Sequence, residues 1–197
     1  MDTIAPFRIT ICGIEELEGH NAAGVSHVLS ILDPEWPVPE AFGGFGEHEK
    51  LELRFHDVIE DVERLNGPRE AHVGQLLRFG RSLIAEPPAH AHLLVHCHAG
   101  VSRSTASMTL ILAEALPERP ASEILDEVLR IRDKAWPNLH IVEMGDAMLG
   151  RGGTLVAATH LVYARQLAKR PWLAEEMTRM GRGREVEAGR AAAGSVA

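Results

Sequence analysis

The sequence has few of the features that mark secreted or membrane proteins. Its 197 residues contain two cysteines, Cys12 and Cys97, which are too few and too far apart for a disulfide-stapled scaffold. The first residues carry neither a basic segment nor a long apolar run, so no signal peptide is expected. No apolar run reaches the roughly 20 residues that a membrane helix needs. We therefore expect a cytoplasmic protein, whose reducing surroundings would preserve a reactive thiol.

Positive charge is also scarce. Lysine and arginine total 20 against 28 acidic residues, which gives a formal net charge of −8. This balance disfavours broad attraction to nucleic acids or to anionic lipid surfaces, so neither a nucleic acid nor a membrane is an expected partner. Apolar residues make up 45% of the chain, enough to fill a sizeable core, and the length favours one domain. The oligomeric state stays open.

Apolar periodicity predicts that strands come early and alternate with helices. Short branched or alternating apolar runs indicate strands at residues 7–12, 25–32, 50–55 and 91–95. Helical spacing, bounded by prolines and glycines, indicates helices at residues 68–86, 103–116, 120–131 and 139–149, and a last helix from Thr154. This order predicts an α/β fold with a central, mostly parallel sheet of four to five strands and helices on both faces.

The C-terminal end differs in composition from the rest of the chain. Residues 181–197 consist largely of glycine, alanine and arginine with few large apolar side chains, so they are expected to bury little surface. We interpret them as a mobile tail that follows a domain over residues 1–180.

Residues 96–104, His-Cys-His-Ala-Gly-Val-Ser-Arg-Ser, concentrate the groups that carry chemistry. An apolar run leads into this stretch and a helix-compatible run follows, which predicts a tight turn from a strand into a helix. The backbone N–H groups of such a turn converge on one point and form an anion site, and Gly100 permits the backbone angles required. The guanidinium of Arg103 adds a planar fork that suits a phosphoryl dianion.

Cys97 stands at the start of this turn, where the helix dipole and Arg103 favour the thiolate. A thiolate beside an oxyanion cradle is the arrangement for phosphoryl transfer through a phosphocysteine intermediate. Ser104 can donate its hydroxyl to the sulfur. The predicted phosphate-binding residues are His98, Ala99, Gly100, Val101, Ser102 and Arg103.

The pattern His-Cys-x5-Arg-Ser resembles the protein tyrosine phosphatase superfamily, and it is most similar to the small dual-specificity branch. The resemblance covers about residues 5–150 and is strongest over residues 93–104. It implies an α/β fold and hydrolysis of phosphotyrosine, with phosphoserine and phosphothreonine as further substrates. The expected partner is a phosphorylated protein or a small phosphoester, and no metal or other cofactor is expected.

The resemblance also implies a general acid. In this family an aspartate on a loop upstream of the cysteine protonates the leaving group, and Asp57 follows a predicted strand at the matching place. Asp61, four residues along the same acidic loop, is the alternative. His96 is expected to orient the turn and not to act as the base, since strand geometry directs its side chain away from Cys97.

Other functions stay open at this point. One is a phosphatase of a small phosphorylated metabolite, a lipid or an RNA end; the absence of lysine between Cys97 and Arg103 disfavours phosphoinositides. Another is a catalytically weak module that binds phosphorylated partners, which the intact Cys97, Arg103 and Ser104 argue against. A sulfur-transferring rhodanese or an arsenate reductase also uses a cysteine loop but fits the spacing less well.

A set of four histidines and the second cysteine, Cys12, each have both a structural and a functional interpretation. His90, His92, His96 and His98 have the even spacing of one strand face, but zinc across Cys97 would block the nucleophile. Cys12 is interpreted as a core residue, and a disulfide to Cys97 stays open.

Three aromatic residues lie in a loop rich in proline and glycine: Trp36, Phe42 and Phe45. They are expected to cover the edge of the core, or else to form a wall of the substrate cleft.

Overall fold

A computed structural model gives the architecture and describes residues 3–85 and 91–194. Within those residues, four strands form one parallel sheet: β1 (Arg8–Cys12), β2 (His27–Leu32), β3 (Glu49–Arg54) and β4 (His92–His96). Their order is β1-β4-β2-β3, so β4 lies between β1 and β2. The predicted α/β class and parallel sheet are confirmed.

Helices fill most of the rest of the described chain. The α-helices are α1 (Glu70–Ile84), α2 (Arg103–Ala115), α3 (Ala121–Ile131), α4 (Leu139–Met148), α5 (Thr154–Lys169), α6 (Leu173–Arg179) and α7 (Gly183–Gly194). Two short 3₁₀ helices, Ile14–His20 and Glu40–Gly44, lie in the N-terminal half. None of the described helices combines the length and the apolar character that a membrane span requires.

The alternation of side chains along the strands explains why both faces of the sheet are covered. Leu29 in β2 and Leu93 in β4 pack into the main core with α1, α2, α3 and α4. Val28 and Leu94, one residue along each strand, point to the opposite face and pack with Leu17 beneath the two 3₁₀ helices. The predicted helices on both faces are therefore confirmed.

Helix α2 runs through the middle of the protein. Residues 103–113 are all buried, polar residues included. The preceding strand, β4, is buried along its whole length. The turn between β4 and α2 is therefore held at both ends by rigid, buried elements.

The expectation of a mobile tail is wrong for residues 183–194. They form α7, which packs against α5, and Val186 lies in a buried cluster with Trp136 and Tyr163. Close approach of the two helices depends on Gly189, because a Cβ there would lie 2.8 Å from the Cβ of Tyr163. The small residues that suggested disorder therefore allow tight helix packing. Residues 195–197 lie outside the described part of the chain.

Candidate active site

The carboxyl ends of the four parallel strands meet at one edge of the sheet, the edge at which open α/β sheets bind ligands. Cys97 directly follows β4 at this edge, and Gly13 follows β1. Asp33 follows β2, and Asp57 comes three residues after β3. The fold therefore brings together chemical groups from four distant parts of the sequence.

The turn at residues 97–103 directs its carbonyl groups outward. The carbonyl oxygens of residues 98–102 all accept hydrogen bonds from partners outside the turn: Ile14 N, Arg132 Nη2, Arg132 Nε, Trp136 N and Asn138 N, in that order. In the described structure, none of the backbone N–H groups of residues 98–103 donates a hydrogen bond to the protein. Across a trans peptide, the C=O of one residue points opposite to the N–H of the next, so the N–H groups of residues 99–103 face the inside of the turn. The predicted anion cradle thus has unused donors.

Gly100 is required by the shape of this cradle. Its φ of 66° lies in the left-handed region, and a Cβ there would lie 2.4 Å from the backbone carbon of Cys12. Gly13 makes the reciprocal close approach, since its Cβ would lie 2.9 Å from the carbonyl oxygen of His98. The turn therefore packs directly on the end of β1, where side chains at these two positions would displace it.

The sulfur of Cys97 lies next to a hydroxyl. The distance from Cys97 Sγ to Ser104 Oγ is 3.2 Å, and both side chains are buried. Cys97 is a free cysteine, as is Cys12. The predicted contact between Ser104 and the sulfur is present, and it can stabilise a thiolate through an O–H donor.

Arg103 is held in place by residues that directly follow two neighbouring strands, β2 and β3. Its Nη1 donates to Asp33 Oδ1 at 2.6 Å and to the carbonyl oxygen of Phe55 at 2.5 Å. Its Nε is buried and has no hydrogen-bond partner among the described residues. A buried donor without a partner is costly, so its presence favours a ligand that completes the fork.

The contact between Asp33 and Arg103 was not predicted from the sequence. The useful signal was the position of Asp33 after β2, because in a parallel sheet the end of β2 lies beside the end of β4.

Asp57 lies against the cradle through several contacts. Its Oδ1 accepts from Ser102 Oγ at 2.7 Å, Asn138 Nδ2 at 2.8 Å and Arg182 Nη1 at 3.3 Å. Burial alone would raise the pKa of Asp57, but the charges of Arg182 and Arg103 and the hydrogen bonds from Ser102 and Asn138 outweigh it and hold the pKa below its usual value. Asp57 is therefore ionised at neutral pH in this arrangement. Asp61 is exposed on the surface.

His96 and His98 lie in different surroundings. His96 is fully buried with its Nε2 2.8 Å from Ser30 Oγ, and burial lowers its pKa to about 4. It is neutral at physiological pH and directed away from the cradle. His98 accepts from the backbone N–H of Asp33 at 3.3 Å, and the ring of Trp36 lies 4.5 Å from its own ring.

The three aromatic residues of the loop rich in proline and glycine lie in two different surroundings. Phe42 and Phe45 pack against the cluster that contains Cys12 and Leu17, so they cover the core. Trp36 is 46% exposed, and its ring contacts the ring of His98 in the cradle at a tilt of 51°.

His92 and Cys12 take structural positions. His92 bonds to Thr10 and to the carbonyl of Ala23, and His90 lies outside the described residues. In residues 3–85 and 91–194, no group of three or more histidine, cysteine or acidic side chains is placed to hold a metal ion. Burial, with the nearby charge of Glu16, raises the pKa of Cys12 to about 12, so its thiol stays protonated.

No protein-family model and no curated protein matches the chain. Solved structures do match. Human DUSP28 matches with a TM-score of 0.54 and 17% identity, over 77% of this chain and 99% of its own. The Cydia pomonella PTP-2 phosphatase matches with a TM-score of 0.55 and 19% identity, over 74% of this chain and 89% of its own. The chain has the fold of the small dual-specificity phosphatases.

The similarity also extends to PTPMT1, solved in complex with PI(5)P. That match has a TM-score of 0.53 and 15% identity, over 76% of this chain and 94% of the other. The fold that the His-Cys-x5-Arg-Ser motif implied is thereby confirmed. Each of these dual-specificity-type structures leaves about a quarter of the present chain without a counterpart.

Proposed function

We propose that the chain is a cysteine-dependent phosphatase that hydrolyses phosphotyrosine, with phosphoserine and phosphothreonine as further substrates. The observation that carries the proposal is the cradle at residues 97–103, which directs its carbonyls outward and leaves its N–H donors unused beside the Cys97 sulfur. Such a cradle stabilises the oxygens of a phosphoryl group as negative charge redistributes during transfer.

The reaction takes two steps. The Cys97 thiolate attacks phosphorus in line with the leaving oxygen, the P–O bond breaks, and Asp57 gives its proton to the departing oxygen. Water then attacks the phosphocysteine, the Asp57 carboxylate takes a proton from that water, and the thiolate leaves. The Ser104 hydroxyl, 3.2 Å from the sulfur, stabilises the thiolate at both ends of the cycle.

A bound phosphoryl dianion would also change the state of Asp57. Arg103 and Arg182 hold the pKa of this carboxyl low in the free protein, with burial acting against them. The Nε of Arg103 has no hydrogen-bond partner among the described residues and lies 4.0 Å from Asp57 Oδ2. A dianion that accepts from this Nε adds negative charge beside the carboxyl of Asp57 and favours its protonated form. Substrate binding thus raises the pKa of Asp57, and the carboxyl takes up from solvent the proton that the first step requires.

Trp36 supports an aromatic substrate. Its indole is 46% exposed and lies 4.5 Å, ring to ring, from His98 in the cradle. An exposed aromatic ring at this position can pack against the phenyl ring of phosphotyrosine. The leaving group of phosphotyrosine is a phenol, which needs less protonation than the alcohol of phosphoserine.

A panel of substrates tests the proposal. We expect turnover of p-nitrophenyl phosphate and of phosphotyrosine peptides in the presence of a metal chelator, with lower kcat/KM on phosphoserine peptides. Higher kcat/KM on vesicles that contain PI(5)P, or on phosphorylated metabolites, would contradict the phosphotyrosine assignment. No hydrolysis of any member of the panel would contradict the phosphatase assignment.

Asp57→Asn tests the general acid. The active form has Cys97 deprotonated and Asp57 protonated, so kcat/KM is expected to follow a bell-shaped pH profile. Because the pKa of Asp57 is lowered, its protonated form is favoured as pH falls, and the optimum is expected on the acid side of neutrality. Asp57→Asn is expected to remove the basic limb of the bell, which reflects ionisation of the general acid, and to lower the rate at the optimum by roughly 10²–10⁴-fold.

The matched control is Asp61→Asn, which removes an exposed carboxylate from the same loop. It is expected to retain both limbs. If Asp61→Asn instead loses a limb while Asp57→Asn retains both, the general acid is Asp61.

A further inference from the structure

The C-terminal segment contains a buried ion pair outside the region of family resemblance. Arg182 is 2% exposed and Glu185 is fully buried. The Nε and Nη2 of Arg182 each donate to a carboxylate oxygen of Glu185 at 2.7 Å. Gly181, in the left-handed region with a φ of 76°, makes the bend that places Arg182 just before α7.

Glu185 fixes this segment to the rest of the domain. Its carboxylate accepts from Trp136 Nε1 at 2.5 Å, from the backbone N–H of Leu139 at 2.9 Å and from the hydroxyl of Tyr163 at 3.2 Å. These partners belong to the segment before α4, to α4 itself and to α5. These three donors hold the carboxylate of Glu185, and the carboxylate in turn holds the guanidinium of Arg182 in one position.

The remaining end of Arg182 reaches the candidate active site. Its Nη1 donates to Ser102 Oγ at 2.7 Å and to Asp57 Oδ1 at 3.3 Å. Ser102 in turn donates its hydroxyl to Asp57 Oδ1 at 2.7 Å. One guanidinium therefore contacts both a cradle residue and the carboxylate assigned as general acid.

Stability alone does not explain this arrangement. Replacing a buried ion pair with apolar residues of similar volume is often neutral or stabilising, because burying two charges costs desolvation energy. Apolar residues at both positions would leave Ser102 without a cationic partner, and Asp57 would keep only Arg103, whose Nε lies 4.0 Å from Asp57 Oδ2.

We propose that Arg182 is a positioning residue of the active site, which holds the Asp57 carboxylate and the Ser102 hydroxyl in place and makes helix α7 part of the catalytic unit. The proposal rests on the proposed role of Asp57 as general acid. Arg182 acts through Asp57 and Ser102, and nothing in its contacts places it on the substrate.

The charges around Asp57 determine the direction of the expected effect. The cationic groups are Arg182 at the start of α7 and Arg103 at the start of α2, with the titratable ring of His98 in the cradle. Glu185, paired with Arg182, is the nearby acidic group. Burial would lower the pKa of Arg182, but the charges of Asp57 and Glu185 outweigh it, so Arg182 stays protonated. Removing its charge should therefore raise the pKa of Asp57.

The kinetic test compares Arg182→Met, which removes the charge, with Arg182→Lys, which retains it. In Arg182→Met, the limb of the pH profile that Asp57→Asn abolishes is expected to move to higher pH, because the cation that lowers the pKa of Asp57 is removed. We expect kcat to fall at least about tenfold, with KM for p-nitrophenyl phosphate within about twofold. Arg182→Lys should return that limb towards its wild-type position. Arg179→Met, a change at an exposed residue paired with Glu176, is the control and should match wild type.

A folded Arg182→Met protein with an unchanged kcat and an unmoved limb would overturn the proposal. A second measurement uses the wild-type chain, in case that variant does not fold. The carboxyl ¹³C resonance of Asp57, identified by its loss in Asp57→Asn, is expected to titrate below the ~3.9 of an unperturbed aspartate. Titration at or above that value would overturn the proposal. This measurement needs no turnover, so it remains valid if the proposed phosphatase activity fails.

Discussion

Replacing Cys97 with serine is expected to abolish the hydrolysis of p-nitrophenyl phosphate, with a loss of kcat of at least about 10⁴-fold. A serine hydroxyl ionises far above the pH at which a thiol does, so it needs a base to become a nucleophile. His96 cannot be that base, because it is buried beside Ser30 and directed away from the cradle. Asp57 is engaged by the cradle residue Ser102 and by Arg182.

The substitution should leave the fold and phosphate binding intact. An oxygen replaces a sulfur at nearly the same place, and the cradle N–H groups and Arg103 are unchanged. Phosphate should therefore still protect the variant against thermal unfolding. The matched control is Cys12→Ser, which changes the other buried cysteine, and it should retain turnover with a modest loss of stability.

Measuring kcat of both serine variants, together with circular dichroism, decides this assignment. Activity of the Cys97 variant above about 1% of wild type, in a sample free of wild-type protein, would contradict the assignment of Cys97 as the nucleophile.

Arg103→Lys is expected to reduce kcat/KM by roughly 10²–10³-fold. The guanidinium donates through Nη1 to Asp33 and to the carbonyl of Phe55 while its Nε stays free for a ligand. An ammonium group is a point charge without a fork, so it cannot satisfy Asp33 and also bind two phosphoryl oxygens. The positive charge is retained in this variant, so the loss of kcat/KM would arise from the changed geometry of the side chain and not from a change in net charge.

Arg165→Lys is the matched control for this prediction. Arg165 forms an exposed ion pair with Asp126, far along the chain, and exposed pairs of this kind contribute little to stability. Its kcat/KM should equal that of wild type. A kcat/KM of Arg103→Lys within about threefold of wild type would show that Arg103 does not bind the phosphoryl group in the transition state.

The parts of the site that lie close together in sequence could be predicted. The apolar run into residues 96–104 and the helix-compatible run out of them predicted a strand, a turn and a helix, and these are β4, the cradle and α2. Gly100 was singled out for its backbone freedom, and the structure adds a second reason, the close contact with Cys12. Local periodicity and turn chemistry suffice for such features because few alternative conformations fit them.

Contacts between distant parts of the sequence could not be predicted in the same way. Asp33 and Arg103 are 70 residues apart, and only the order of the strands brings them together. Arg182 and Asp57 are 125 residues apart. The composition of the C-terminal segment also led to the wrong prediction of a mobile tail. Glycine and alanine indicate disorder when they are exposed, but they allow close packing when another helix lies against them.

The central claim is that hydrolysis proceeds through a phosphate bonded to Cys97. Its most direct test is mass spectrometry of the Cys97 peptide after acid quenching of the protein during turnover of p-nitrophenyl phosphate. Ser104→Ala is used beside wild type, since loss of the hydroxyl 3.2 Å from the sulfur should slow departure of the thiolate and accumulate the intermediate. The account predicts one phosphate on Cys97, more abundant in Ser104→Ala than in wild type. Sustained turnover in both proteins with Cys97 unmodified at every quench time would contradict it.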